Sequence, residues 1–154
     1  MKTVFTAAFA VALIAMAGYG MASDTNTLTV QASVLGTCKF VSTTSTLGFG
    51  ALDPSAGTDV NGSSTTQFWC TKGVATDAVS AGNGLNFVGG KRGMKDAVSG
   101  DVIPYTLSLA KDGLSNGGPT VPRTLTIAGN VLGADYTGKA AGSYSDTVTI
   151  TITP

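Results

Sequence analysis

Apolar and polar residues alternate along much of this chain with a period of two. Leu28, Val30, Ala32 and Val34 are separated by Thr29, Gln31 and Ser33. Ile103, Tyr105, Leu107 and Leu109 repeat the spacing, and Val148, Ile150 and Ile152 repeat it between threonines. Successive side chains of a β-strand point to opposite faces, so each run predicts a strand with one apolar and one polar face. Strands are expected over Leu28 to Leu35, Thr46 to Gly50, Thr65 to Thr71, Ile103 to Ala110, Arg123 to Ala128 and Asp146 to Thr153. Shorter pieces follow at Lys39 to Val41, Val74 to Ser80 and Leu85 to Val88. Turn chemistry separates them: Asp53-Pro54 with Gly57, Asn83-Gly84, Asp112-Gly113 and Asn116 to Pro119, with Gly89 to Gly93 reading as a hairpin tip.

Composition agrees with the pattern. Thr, Ser, Gly, Val and Ala dominate, and the helix-forming mixture of Leu, Glu, Lys and Gln is missing. Thr and Val suit a pleated, half-buried surface. The chain is therefore expected to be all-β, an immunoglobulin-like β-sandwich of short strands and frequent turns.

The first 22 residues break the alternation. Lys2 is their lone charge, Val4 to Ala17 is an apolar core, and small residues follow at Gly18, Gly20 and Ala22. This is the layout of a secretory signal peptide, with cleavage expected after Ala22. The run is too short and too alanine-rich for a good membrane span. Roughly 130 residues then remain, enough for one domain with a modest core. Without Lys2, eight basic residues face nine acidic ones, a net charge of −1. Attraction to nucleic acid or to an anionic membrane is not expected at that balance.

Two cysteines, Cys38 and Cys70, lie in the exported part. An even count in an oxidising compartment favours one disulfide, and only one intramolecular pairing exists. A loop of this length gives about 3.5–4 kcal/mol on the loop-entropy model. The two are far apart in sequence and lack the C-x-x-C context of a redox pair.

Catalytic and metal chemistry find little material. There is no His, and every acidic residue is Asp. Ser–His and Cys–His nucleophiles are excluded, as are zinc sites built on His. Asp53 with Asp59, or Asp96 with Asp101, are the only imaginable acid–base pairs, and nothing supports them. Gly133 to Ala140 nearly matches a phosphate-binding loop, but Ala140 stands where Ser or Thr should hold magnesium. Lys91, Arg92 and Lys95 read as a solvated hairpin tip. Asn61-Gly62-Ser63 fits the glycosylation sequon, though Asn-Gly is first of all a turn. Phe49, Phe68, Trp69, Phe87, Tyr105 and Tyr144 are expected at the core or its edge. No enzyme, cofactor or metal site is expected.

The exported chain begins and ends on an alternating strand. Termini fray unless something holds them, and an apolar edge strand without charge invites another chain. The order and spacing of several short pieces bear on what that other chain is. They are Gly36-Thr37-Cys38, Leu47-Gly48-Phe49-Gly50 leading to Asp53-Pro54, Trp69-Cys70-Thr71-Lys72-Gly73, and Met94-Lys95. Ile103-Pro104-Tyr105-Thr106-Leu107 and the closing run Ala141 to Ile150 complete the set. Together they resemble the spore coat protein U domain family, which includes the pilin subunits of archaic, Csu-type chaperone–usher pili.

The resemblance implies an immunoglobulin-like sandwich that lacks its last strand. A periplasmic chaperone would fill the gap first. The N-terminal extension of the next subunit would then replace it at an outer-membrane usher, adding a strand to a sheet edge. Residues 23–35 would be the donor extension, with Leu28, Val30, Ala32 and Val34 as its inward face, and residues 36–154 the pilin domain. Val148, Ile150 and Ile152 would line the groove. The partners implied are other pilin subunits, alike or different, and the implied place is the periplasm, then the cell surface. Such a fimbria would serve adhesion or biofilm formation. A spore or envelope coat protein built on the same domain, or a secreted binding module, are the alternatives. The residue before the second cysteine, Trp69, and the irregular stretch 74–82 depart from the family pattern.

Overall fold

The computed structural model describes residues 23–75 and 77–154; the export signal assigned to residues 1–22 lies outside them. In chain order the elements are β1 (Cys38–Phe40), β2 (Val60–Cys70), β3 (Ala78–Ala81), β4 (Arg92–Asp96), β5 (Val102–Lys111) and β6 (Arg123–Val131). A one-turn helix α1 (Gly133–Tyr136) follows, then β7 (Tyr144–Ser145) and β8 (Ile150–Thr153). Among the described residues no helix is long and apolar enough to cross a membrane.

Six strands form one antiparallel sheet in the order β1-β2-β6-β5-β4-β7, and β3 pairs with β8 in a second, two-stranded sheet. The fold is an all-β, incomplete sandwich: the residue pattern predicts the all-β class, and the family resemblance implies the incompleteness. At the centre, β6 alternates without a fault: Leu125, Ile127 and Val131 are buried while Thr124, Thr126 and Asn130 are less so. It pairs with β2 from Val60↔Val131 to Phe68↔Arg123 and with β5 from Thr106↔Asn130 to Lys111↔Leu125. Two clusters fill the interior. One gathers Phe68, Cys70, Leu125 and Ile127, with Val79, Ile150 and Ile152 against them. The other gathers Ile103, Tyr105, Val131 and Tyr136, with Phe49, Met94 and Val148 against them.

One end of the sandwich is tied by charge. Arg123, 4% exposed, lies over the Phe68 ring and donates to Asp77, Asn116 and Asp112 at 2.9, 2.9 and 3.0 Å. Lys111 takes the other oxygen of Asp77 at 2.8 Å. A guanidinium this buried needs every partner it has. The network fixes the 112–122 turn to the stretch before β3.

Several strand expectations change. Residues 28–35 form no strand and are exposed throughout. Thr46 to Gly50 belongs to no ladder, although Leu47 and Phe49 pack on the core. The last strand splits: β7 pairs with β4 in the large sheet, residues 146–149 join no ladder, and β8 pairs with β3 in the small one. β2 starts earlier than expected, because Asn61-Gly62 is strand and not turn; Gly62 faces Gly129 across the ladder. β3 begins only at Ala78, and residues 85–88 form no strand beyond a Val88–Lys91 bridge. β4 gave no apolar alternation because Gly93 occupies a buried position, where a Cβ would come 2.3 Å from Val102.

Candidate functional site

The site is an open groove in the unit formed by residues 34–154. Its floor is the inner face of the large sheet, where Met94, Ile103, Tyr105, Leu107 and Ile127 present apolar side chains. One rim is the segment after β1, Ser42 to Leu52. The opposite rim is the segment from Tyr144 to Ile150. Three cavities of about 580, 340 and 330 Å³ lie end to end along the first rim; the second rim walls the second and third, and Tyr136, Lys139 to Gly142 and Tyr144 wall the first. The first two share Leu47, Phe49, Met94 and Tyr144, and the second and third share Ser45, Val148 and Ile150. They are one trough.

Glycines let the first rim lie close to the sheet. A Cβ on Gly129 would come 2.8 Å from the Phe49 ring and 2.9 Å from Leu47. One on Gly62 would come 2.8 Å from the Gly48 carbonyl. The paired glycines leave a bare patch on the inner face, and Leu47 and Phe49 occupy it. Glycine inside a strand often marks such an approach.

Both rims have main chain to offer. Among the described residues, 42–52 and 146–149 join no ladder. The Thr149 carbonyl accepts from Gly82 at 2.8 Å, on the side of the small sheet. An apolar floor between two unladdered segments has the complementarity of a β-strand. A strand offers hydrogen-bonding groups along both edges and apolar side chains on alternate positions.

The residues singled out from sequence fall into place unevenly. Cys38 and Cys70 form a disulfide, their Cα atoms 4.0 Å apart in the register of β1 with β2. Val148 and Ile150 line the trough. Ile152 does not: it faces Val79 in the small sheet and packs on the first core cluster. Leu28, Val30 and Val34 are each more than four-fifths exposed, and Ala32 is exposed with them. The sequence reading missed the first rim, with Leu47 and Phe49, and the floor residues Met94 and Ile127. The glycines inside β2 and β6 were the available signal.

Other candidates resolve into structure. Each of the four carboxylates considered for acid–base work takes a backbone N–H: Asp53 from Ser55, Asp59 from Gly133, Asp96 from Ser99 and Asp101 from Ala140. Gly133, at the head of the loop that resembles a phosphate site, therefore has its N–H engaged. Arg92 donates to the carbonyls of Gly82 and Ala81 at 2.7 and 2.9 Å. Phe87 is less of a core residue than expected, 42% exposed. Among the described residues no group of three or more His, Cys, Asp or Glu is placed to hold a metal.

No curated protein matches the chain at a significant level. The profile of the Spore Coat Protein U domain matches residues 24–151, most of the chain. With an all-β incomplete sandwich, a trough at its open side and one disulfide, the chain belongs to the Spore Coat Protein U domain family.

Proposed function

We propose that this protein is a structural subunit of a surface fimbria, built by donor-strand exchange through a chaperone–usher pathway. The domain family is linked to chaperone–usher pilus subunits, which supports the broader reading. One observation carries the finer one. The same chain has a trough that lacks a strand and an exposed segment with the alternation of a strand and no ladder of its own.

In this reading, residues 23–35 of one subunit occupy the trough of the next, with Leu28, Val30, Ala32 and Val34 turned to the floor. Burying three large side chains and one alanine gives roughly 5–10 kcal/mol before ordering costs. Ladder hydrogen bonds to both rims add to that. Before assembly a chaperone strand covers the floor, since an exposed apolar trough is an aggregation hazard. The subunit passes through the periplasm and ends on the cell surface, where the fibre serves adhesion or biofilm formation.

Material sheared from intact cells, run in SDS with and without boiling, tests this. A ladder at multiples of the mature mass that collapses on boiling is the expected result. A single monomer band in both lanes would overturn the exchange and favour a coat protein closed within one chain.

A further inference from the structure

Apolar troughs tend to close, because collapse removes apolar surface from water. Something must hold the rims apart and at a fixed spacing before a strand arrives. Tyr105 reaches both. It rises from β5 in the floor, with its ring 6.0 Å from Phe49 of the first rim at an interplanar angle of 58°. Its hydroxyl donates to Asp146 Oδ2 of the second rim at 2.7 Å. Asp146 is in turn held from outside the trough. Its Oδ1 accepts the Leu85 N–H at 2.9 Å and Asn86 Nδ2 at 3.3 Å. The Asn86 amide also reaches the Ser145 carbonyl at 3.4 Å. Gly84 permits the approach of that loop, since a Cβ there would meet Asp146 at 2.2 Å.

We infer that Tyr105 and Asp146 form a strut that sets the width of the trough, so that the strand-accepting site is shaped before it is filled. This rests on the strand-exchange reading above and names the residues that position its site. Phe49 is braced by the ring, Asp146 is gripped by the hydroxyl, and the 84–86 loop pulls the second rim outward. Both carboxylate oxygens have donors from within the domain. An incoming strand therefore covers a polar pair in which each carboxylate oxygen already holds a donor and the hydroxyl already has its acceptor. Burial first, and then the Asp146 carboxylate, push the Tyr105 phenol well above its usual range, so it is a proton donor at every physiological pH. Preorganisation of this kind lowers the ordering cost of binding.

The test uses the full mature chain and a fluorescent synthetic peptide of residues 24–35. Tyr105→Phe keeps the ring and its Phe49 contact and removes only the hydroxyl. Asp146→Asn keeps the size of the side chain and weakens the grip. Each variant should release the captured peptide about tenfold faster than wild type, the loss of one charge-assisted hydrogen bond. The double variant should be no worse than the singles, because both remove one interaction. The unfolding midpoint of the peptide-free chain should move little, which separates positioning from general stability. Failure of the wild-type chain to capture the peptide would sink the strand-exchange reading and the strut with it. Capture by wild type, with release from both variants unchanged or with losses that simply add, would sink the strut alone.

Discussion

Gly62 and Gly129 are chosen by their neighbours and not by their own backbones. Neither has a left-handed conformation, yet each faces a side chain or carbonyl that a Cβ would strike. Gly129→Val should displace Phe49 and Leu47 and cost about 1–3 kcal/mol, the usual range for overpacking. Denaturant unfolding measures it, and an unchanged midpoint would mean the rim adapts without strain. Cys38→Ser should cost about 2–4 kcal/mol and lower the yield of exported protein. Unchanged yield and stability would argue that the β1–β2 ladder suffices alone. The carboxylates set the acid limit. Asp96, 3% exposed, is held below its usual value by the N–H and hydroxyl of Ser99. Burial pushes Asp112 up, but the N–H groups of Thr124 and Leu114 and the Arg123 guanidinium outweigh it and hold it low. A group depressed on folding stabilises fully above its unfolded pKa, here 3.8, and less as pH falls through its folded value. The unfolding midpoint should be flat from about pH 7 to 5 and drop below about pH 4. A midpoint that holds to about pH 2.5 would show that these two carboxylates are not coupled to folding.

At the scale of elements, the strands that carry the sheet were legible and the rims were not. β5 and β6 could be read from Ile103 to Leu109 and from Leu125 to Ile127, because an alternating run in the middle of a sheet has neighbours on both sides. Runs expected as strands and found without ladders include 28–35, 46–50 and 146–149. Each has the correct period. Alternation reports that a segment is shaped for two faces; it does not report where the neighbours come from. Cys38–Cys70 was legible from cysteine count alone, whereas the Tyr105–Asp146 contact joins positions 41 residues apart with no local signature. If the strand-exchange proposal holds, deleting residues 24–34 should leave a subunit that binds a chaperone but cannot extend a fibre. Normal fibres from that deletion, seen in sheared material, would remove the extension from any role as a joint.

For the molecule as a whole, the disulfide determines where a pull is felt. Tension on a strand-exchanged fibre would enter each domain along residues 34–37 and reach β1, which has only three residues and a single ladder partner. Loaded from its end, so short a strand would peel one hydrogen bond at a time. Cys38 is its first residue and is bonded to Cys70, the last residue of the 11-residue β2. The force therefore bypasses β1 and is delivered to a strand hydrogen-bonded to β6 over nine residue pairs. That ladder must shear along its length instead of unzipping. In such a fibre the covalent link would make β1 a bystander, and the mechanical limit would lie at the joint between subunits.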